Sequence, residues 1–442
     1  MPKIAERDVD AVLFKRKADM QIILDTLAKS SAMTFNGATP VRIVASPLPF
    51  HITHKLSKLE RLRRNTVHDI YVVTGQLNST TNEPIDSWTF FSWLQQNGIP
   101  SRYVIWRKHG FYEKIKSDEK LKDVIALDGD GVGDYEFLYK LFDVLPRAKA
   151  IVQENSALNY GLRKWVVERS GIAHIFLQHG VFFTSFSSAV ARMLGQFDFI
   201  NVSSEKECRF ILDRTPPGSA LTSDKLIIGG LPRWDLLTDE SDDPNVDNVV
   251  FVMLTWRASF NAGMDRLKKS AYFNRLREFL STKNVERIKG KGARIILAPH
   301  HHLVNCIKDL DFGVPVEIAS PSDISYWIRH AKMLVTDFSS VSIDFLFLNK
   351  PVVFWILDRD DFLLDRNLHD DGGKVTSAIR ELQSLFNVTG SSSETVAAVC
   401  RYADSDFALE PEKRKVAESL FMHKHDICRH VYESIENAIV RQ

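Results

Sequence analysis

Residues 332–356 read Lys-Met-Leu-Val-Thr-Asp-Phe-Ser-Ser-Val-Ser-Ile-Asp-Phe-Leu-Phe-Leu-Asn-Lys-Pro-Val-Val-Phe-Trp-Ile, and this stretch decides the fold. The apolar run Met333–Val335 predicts a buried parallel strand. Ser339 and Ser340 are typical of a helix start, and an apolar face follows them. A Lys-Pro pair then ends the helix, and Val352–Ile356 predicts the next strand. The stretch is therefore a β-α-β unit.

A hydroxyl-rich turn lies in this unit, at the carboxyl end of its first strand. The free backbone N–H groups and the dipole of the following helix favour an anion there, and the hydroxyls of Ser339 and Ser340 add donors. The alternative is that the two serines only cap the helix, since such caps are common. This stretch alone leaves both interpretations open.

The composition is that of an ordinary globular protein. With 442 residues the chain is too long for one core, so two domains are expected. The net charge of +1 gives no case for nucleic acid as the main partner. Four cysteines lie far apart without metal spacing, which favours reduced thiols in a cytoplasmic protein. No long apolar segment indicates a signal peptide or membrane span, and peripheral contact with the inner face of the membrane stays open.

Strand-like and helix-like segments alternate along the first half of the chain. Residues 5–30 predict an amphipathic packing helix. The predicted strands are Val41–Ala45, Ile70–Thr74, Arg102–Ile105, Ala150–Val152, Ile172–Leu177 and Phe199–Val202. This alternation favours a parallel sheet covered on both faces, in a first domain of residues 1–232.

The same alternation of strand-like and helix-like segments begins again after residues 238–247, a segment that is acidic and interrupted by a proline. We interpret residues 233–247 as a linker, 248–410 as a second doubly wound domain and 411–442 as a charged helical segment. The strands predicted in the second domain are Val249–Leu254, Arg294–Ala298, Val314–Ile318, Met333–Val335 and Val352–Trp355. The fold class is thus α/β, with two Rossmann-like domains facing a central cleft. Ligands of such sheets bind beyond the carboxyl ends of the strands.

Polar residues with useful chemistry follow four of the predicted strands. They are His179-Gly180, Thr255-Trp256-Arg257, His300-His301-His302 and Thr336-Asp337-Phe338-Ser339-Ser340. Cationic groups, hydroxyl donors and a histidine at one sheet edge suit a phosphate or diphosphate with a base nearby.

Each of these groups also has a structural interpretation. His179 could be a core histidine in a turn for which Gly180 supplies a positive φ, and Arg257 could form an ion pair. The three adjacent histidines do not make a metal site, because neighbouring side chains on an extended chain point to opposite faces. No bound metal and no cofactor are therefore expected.

In this order the motifs resemble those of the CDP-glycerol glycerophosphotransferase family. The resemblance rests on His179-Gly180, Gly230-Leu-Pro-Arg-Trp-Asp-Leu-Leu237, Thr255-Trp-Arg257, a histidine near 301, Thr336-Asp-Phe-Ser-Ser340, Asp344 and Lys350-Pro351. It covers roughly residues 170–360, and the first 165 residues match only in general architecture. The segments Gly230-x-Pro-Arg-x-Asp235 and Asp337-x-Ser-Ser340 are fairly specific to the family when they occur in this order.

The resemblance implies a GT-B fold and an enzyme that transfers polyol phosphate from a CDP-alcohol to an acceptor hydroxyl, with release of CMP. It implies His179 as the general base, with a second catalytic histidine in the 300–302 cluster, for which we favour His301 and keep His300 as the alternate. The implied substrate-binding residues are Gly180, Arg233, Thr255, Arg257, His300, Thr336, Asp337, Ser339 and Ser340. The implied partners are a CDP-activated donor and a glycan, lipid-linked or polymer acceptor.

Some positions depart from the family pattern. Val181-Phe182-Phe183 stands where the family usually has Thr-Pro and a nearby lysine, and Leu254 and Ala258 replace the usual proline and aspartate around Thr-Trp-Arg. Two other functions therefore stay open. One is a GT-B glycosyltransferase that uses a nucleotide sugar, and the other is a non-catalytic nucleotide-binding partner in a surface-polymer assembly complex.

Overall fold

The computed structural model describes residues 50–75, 85–116, 122–128, 140–154, 170–184, 186, 188–243, 247–257, 260, 264–299, 316–320, 323–365 and 386–441. The predicted helix over 5–30, the predicted strand Val41–Ala45 and the histidines His300, His301 and His302 lie outside these ranges. In the part of the chain that is described, no helix is both long and apolar enough to cross a membrane.

The first lobe is built on a parallel sheet of seven described strands in the order β3-β2-β1-β4-β5-β6-β7. Their bounds are β1 Ile70–Thr74, β2 Ser101–Trp106, β3 Val124–Leu127, β4 Ala148–Gln153, β5 Ala173–Phe176, β6 Phe199–Val202 and β7 Leu226–Ile228. The residues of β1 are buried throughout, because helices cover both faces of a parallel sheet.

The second lobe is built on a parallel sheet of six described strands in the order β10-β9-β8-β11-β12-β13. Their bounds are β8 Asn248–Met253, β9 Ala293–Leu297, β10 Glu317–Ile318, β11 Met333–Thr336, β12 Val352–Trp355 and β13 Asn387–Thr389. Both sheets reverse their strand order once, between β1 and β4 and between β8 and β11. The crevice at such a reversal is where doubly wound sheets bind ligands.

Helices connect the strands of each sheet. In chain order they are α1 Phe50–Arg63, α2 Ile85–Gln96, α3 Gly110–Ile115, α4 Ser188–Leu194, α5 Glu205–Arg214, α6 Met264–Lys269, α7 Ala271–Phe279, α8 Thr282–Lys289, α9 Ile324–His330, α10 Val341–Phe347, α11 Arg359–Asp365, α12 Ser392–Asp404, α13 Pro411–Glu418 and α14 Ile427–Arg441. Every residue of α10 is buried. Its side chains join a core that also contains residues of the first sheet, so the two lobes share buried apolar surface.

The strongest apolar runs were predicted correctly. β1, β6 and β12 begin and end where the sequence predicts, and most of the other predicted strands that are described differ by one or two residues at their ends. The exception is Val314–Ile318, because β10 comprises only Glu317–Ile318 and residues 314–315 lie outside the described ranges. The sequence missed β3, β7 and β13, which have only three or four residues and are largely half-exposed. β3 and β7 are apolar throughout, but runs of only three or four residues are too short for periodicity to identify them as strands. The 238–247 segment is irregular where it is described, as expected of a linker or loop.

A turn between the lobes joins them to the carboxyl-terminal helix. Gly230 has a φ of +98°, and the 3₁₀ segment Pro232–Leu236 follows it. Asp235 then accepts hydrogen bonds from the main-chain N–H groups of Ile427 (2.7 Å) and Cys428 (2.8 Å). These N–H groups at the start of α14 have no acceptor within the helix, so the carboxylate caps it. Asp235 thereby fixes α14 to the turn.

We expect Asp235→Ala to weaken the docking of α14. Two N–H groups would lose a charged acceptor, which costs about 1–3 kcal/mol. Hydrogen exchange across residues 427–441 measures this as a lower free energy of local opening. Asp213→Ala, at an exposed helical aspartate, is the control and should leave exchange unchanged. Equal protection in the two variants would show that Asp235 does not hold the helix.

Candidate active site

The His179 loop follows β5 and is shaped by a buried carboxylate. Glu207, fully buried at the start of α5, accepts hydrogen bonds from the N–H groups of Phe182 (2.7 Å) and Ser203 (2.6 Å). The residue with positive φ in this turn is Gln178 (58°), not Gly180. The expectation that Gly180 supplies a positive φ is therefore wrong, because the turn is made one residue before the histidine.

Gly180 is constrained instead by the opposite lobe. A Cβ built on Gly180 would lie 2.7 Å from the Oγ and 3.2 Å from the Cβ of Ser340. Side-chain carbons do not approach other heavy atoms so closely. The absence of a side chain thus lets the loop that carries His179 touch the turn that carries Ser340. This contact brings the carboxyl-terminal edges of the two sheets together.

His179 is held in a form that can accept a proton. Its Nδ1 lies 3.2 Å from the main-chain oxygen of Glu154. A carbonyl oxygen only accepts hydrogen bonds, so Nδ1 carries the proton and Nε2 keeps its lone pair in the neutral ring. The residue keeps an exposed surface, yet surrounding protein atoms crowd the ring, and this loss of water lowers the pKa of His179 below its ordinary 6.5. The neutral imidazole therefore prevails at neutral pH.

Ser339 and Ser340 form the turn between β11 and α10. Ser340 stands at the position before the helix, but its side chain makes no capping hydrogen bond there. The Oγ of Ser339 accepts a long hydrogen bond of 3.4 Å from the N–H of Val341. Both serines are half-buried. The simple capping interpretation therefore accounts for Ser339 only weakly and for Ser340 not at all.

Behind this turn lies a buried charged cluster at the reversal point of the second sheet. Asp337 is fully buried, and its Oδ1 accepts hydrogen bonds of 2.7 Å from the N–H groups of Thr255 and Phe338. Thr336 is also fully buried, and its hydroxyl donates to the oxygen of Met253 at 2.6 Å. Thr336 and Asp337 thus join the ends of β8 and β11. Within the described residues, the hydroxyl of Thr255 is buried and has no partner.

Arg257 lies inside this cluster rather than at its surface. The side chain is 1% exposed and its Nη2 donates to Asp337 at 2.8 Å, while its Nε donates to Asp358 at 2.9 Å. Its Nη1 donates to the oxygen of Thr255 at 2.6 Å. Burial raises the pKa of Asp358 to about 6, although the charge and hydrogen bond of Arg257 lower it in part. In this arrangement the guanidinium orients the loop after β8, and its predicted contact with a ligand stays a prediction.

Arg233 occupies the space between the lobes, beside His179. Its guanidinium donates to Asp86 on α2, to Asp344 on α10 and to the main-chain oxygen of His179. The indole N–H of Trp234 donates to Asp344 as well, at 2.8 Å. The turn at 232–236 therefore binds both lobes at the point where they meet.

The structure thus brings the predicted residues together in two adjacent groups. His179, Gly180, Arg233, Ser339 and Ser340 lie at the meeting of the lobes, while Thr255, Arg257, Thr336 and Asp337 lie in the charged cluster behind the serine turn. Sequence reasoning missed Asp86, Glu154 and Asp358. Glu154 directly follows β4 and Asp358 follows β12 by three residues, so the rule that selected the other strand ends could have found them. Asp86 stands at a helix start and gives no such signal.

Comparison with known proteins identifies the family of the chain. Residues 114–386 match the family described as CDP-glycerol:poly(glycerophosphate) glycerophosphotransferase, and the chain belongs to that family. It is 24% identical over 287 residues to the minor teichoic acid biosynthesis protein GgaB of Bacillus subtilis (strain 168), a match that covers 58% of this chain and 31% of GgaB. The chain therefore spans about a third of the length of that curated relative.

Solved structures establish the fold class. The wall teichoic acid polymerase TagF superimposes with a TM-score of 0.56 at 15% identity, covering 89% of this chain and 98% of that chain. The UDP-GlcNAc 2-epimerase of Neisseria meningitidis superimposes with a TM-score of 0.53 at 14% identity, covering 83% of this chain and 99% of that chain. These folds are of the GT-B type, so the predicted GT-B class is confirmed.

We expect Gly180→Ala to strain the contact between the lobes. The new methyl group would meet Ser340, and overpacking of this kind costs about 1–3 kcal/mol. Thermal unfolding of Gly180→Ala, Ser340→Gly and the double variant measures the coupling. In the double variant the second change should recover much of the loss.

Gly390→Ala is the matched control for this prediction. An added Cβ there meets no heavy atom nearer than 3.9 Å, so the effects of Gly390→Ala and Ser340→Gly on stability should simply add. Strictly additive effects of Gly180→Ala and Ser340→Gly would mean that the two residues do not touch in solution.

Proposed function

We propose that this protein transfers a polyol phosphate, of the glycerol- or ribitol-phosphate type, from a CDP-activated donor to an acceptor hydroxyl. The acceptor belongs to a glycan, a lipid-linked molecule or a growing cell-surface polymer, and CMP is released. Family membership supports the reaction class. GgaB is named as a teichoic acid biosynthesis protein, and a TagF variant was solved after a soak with CDPG, which supports the donor and the polymer class.

The observation that carries the proposal is the meeting of His179 with the serine turn. The Nε2 of His179 keeps a lone pair, since Nδ1 donates to Glu154, and the neighbouring Gly180 lies against Ser340 on the other lobe. A base on one lobe and hydroxyl donors on the other are what a transfer between two bound substrates requires.

The reaction follows from this arrangement. The acceptor oxygen attacks the phosphorus that bears the polyol, and its proton passes to Nε2 of His179. The bond between that phosphorus and the oxygen bridging to CMP breaks, and CMP leaves with the bridging oxygen. Phosphoryl transfer needs little covalent help, so the protein contributes in-line positioning and donors to the phosphate oxygens. In this proposal the hydroxyls of Ser339 and Ser340 supply such donors.

The proposed division of labour follows the two lobes. The donor binds chiefly to residues 248–410 and the acceptor to residues 1–232, with 233–247 as the linker between them. The support is positional, because the serine turn belongs to the second sheet and His179 follows a strand of the first. The proposed setting is the cytoplasm, with peripheral association at the inner face of the membrane, where lipid-linked acceptors are within reach.

We expect His179→Ala to lower turnover at least about a hundredfold while donor affinity stays unchanged, as is usual when a general base is removed. CMP release from CDP-glycerol or CDP-ribitol measures turnover, and calorimetry measures affinity. In the wild type, kcat/KM should be flat at neutral pH and fall only below pH 6.5, because the protein atoms around the ring lower the pKa of His179 and the base is active when neutral.

The exposed residue His68 provides the control, and His68→Ala should retain full activity. Near-normal turnover in His179→Ala would remove this residue from the mechanism. Release of a nucleoside diphosphate instead of CMP would assign the protein to the glycosyltransferases that use nucleotide sugars, and no turnover with any donor would favour a binding role.

We expect Ser339→Ala and Ser340→Ala each to weaken donor binding by about three- to tenfold, the scale of one lost hydrogen bond. Calorimetry with CDP-glycerol is the measurement, and Ser393→Ala, at an exposed serine of the second lobe, is the control. Unchanged affinity in both serine variants would move the diphosphate site away from this turn.

A further inference from the structure

Arg233 contacts the main chain of His179 and a carboxylate from each lobe. We infer that Arg233 is a positioning residue that fixes the His179 loop against the Ser339–Ser340 turn by joining one carboxylate from each lobe. This inference rests on the proposed function, in which His179 is the base. It differs from the interpretation of Arg233 as a substrate-binding residue.

The hydrogen bonds of Arg233 leave little capacity for a ligand. Nη1 donates to Asp86 at 2.6 Å and to the main-chain oxygen of His179 at 3.1 Å, while Nε and Nη2 donate to Asp344 at 3.1 Å each. The main-chain N–H of Arg233 donates to Asp86 as well, at 3.0 Å. A guanidinium has five N–H donors, and four are used here. A phosphate would therefore have to displace an existing partner.

The ion-pair bridge from Asp86 through Arg233 to Asp344 is buried, which makes its geometry specific. The side chains of Asp86 and Asp344 are 3% and 4% exposed, and that of Arg233 is 13% exposed. Burial opposes the charge of Arg233, but Asp344 and Asp86 together raise its pKa above the ordinary value. The fork of the guanidinium meets Asp344 through two parallel hydrogen bonds, a geometry that lysine cannot reproduce.

Asp344 connects the bridge to the donor turn. It follows Ser340 by four residues, so both lie on one side of α10 and its start. His179 is held at two points of its own, at Nδ1 by Glu154 and at its main-chain oxygen by Arg233. A change at Arg233 therefore alters the position of the imidazole relative to Ser340. A misplacement of about 1 Å in such a site lowers the rate by up to a hundredfold.

Arg233→Lys tests this role, because it keeps the positive charge and removes the guanidinium that makes two parallel hydrogen bonds with Asp344. We expect kcat to fall about tenfold or more, with the dissociation constant of CDP-glycerol within twofold of the wild type. Arg147→Lys, in an exposed ion pair with Asp69 on the first lobe, is the matched control and should change neither quantity. A direct ligand of the donor would instead show a large loss of affinity. A residue needed only for folding would show a lower Tm with kcat unchanged.

A second readout needs no substrate. In protein labelled with ¹⁵N-histidine, the shifts of His179 report which ring nitrogen carries the proton, and His179→Gln identifies its signals. We expect the Nδ1–H form in the wild type and a mixture of both tautomers in Arg233→Lys, because the loop would no longer hold the ring on the Glu154 oxygen. An unchanged tautomer together with unchanged kcat would overturn the inference.

The substrate-free readout also separates this inference from the proposed function. If no donor yields CMP, the proposed function fails, while the tautomer shift still decides whether Arg233 positions His179. Should Arg233→Lys not fold, Asp86→Asn provides the same comparison, because it removes one charge of the bridge and keeps the size of the side chain. A wild-type tautomer and wild-type kcat in folded Asp86→Asn would count against the bridge.

Discussion

The buried ion pair between Arg233 and Asp344 is the interaction on which the site depends. The turn that carries Arg233 joins the two lobes, and Asp344 lies in the fully buried helix α10. Removal of one partner from such a pair leaves a buried charge without compensation, at a cost of about 3–5 kcal/mol. Trp234 adds to the same junction, because its indole donates to Asp344 and its ring stacks on Phe347 at a centroid distance of 4.7 Å. The short turn thus determines where the serine turn lies.

The second charged cluster explains why some site residues are hidden. Arg257 pairs with both Asp337 and Asp358, and all three side chains are 1% exposed or less. A buried salt bridge contributes little net stability, since its Coulomb gain is offset by lost hydration. Its effect is to fix geometry: Asp337 holds the N–H of Phe338 and so sets the course of the chain into Ser339 and Ser340. The cluster thereby fixes the main chain that leads into the two serines.

The sequence predicted what depends on local patterns. Apolar runs such as Phe199–Val202 predicted strands, and their ends located His179 and Ser340, because parallel strands place their carboxyl ends at one edge. Pairings between distant elements could not be predicted. Nothing in the sequence around Asp86 shows that it faces Arg233, 147 residues later. Likewise, Gly180 reads as a turn glycine, and only the folded chain shows that Ser340 excludes a side chain there.

The acidic linker is bound to the second lobe, which constrains any closing motion. Asp239 pairs with the buried amine of Lys350 at 3.0 Å, and Asp242 pairs with Lys332 at 2.5 Å. Residues 239–242 of the predicted linker are therefore attached to the second lobe.

The chain crosses between the lobes a second time between α13 and α14. There the amine of Lys424 donates to the main-chain oxygen of Phe347 at 2.6 Å and lies 4.4 Å from the rings of both Phe347 and Phe421. The contacts of Lys424 and the ion pairs of Arg233 with Asp86 and Asp344 oppose a relative rotation of the lobes. These contacts favour a site in which His179 and the Ser339–Ser340 turn already have their reactive arrangement before substrates bind. Preorganisation of this kind lowers the cost of reaching the reactive geometry.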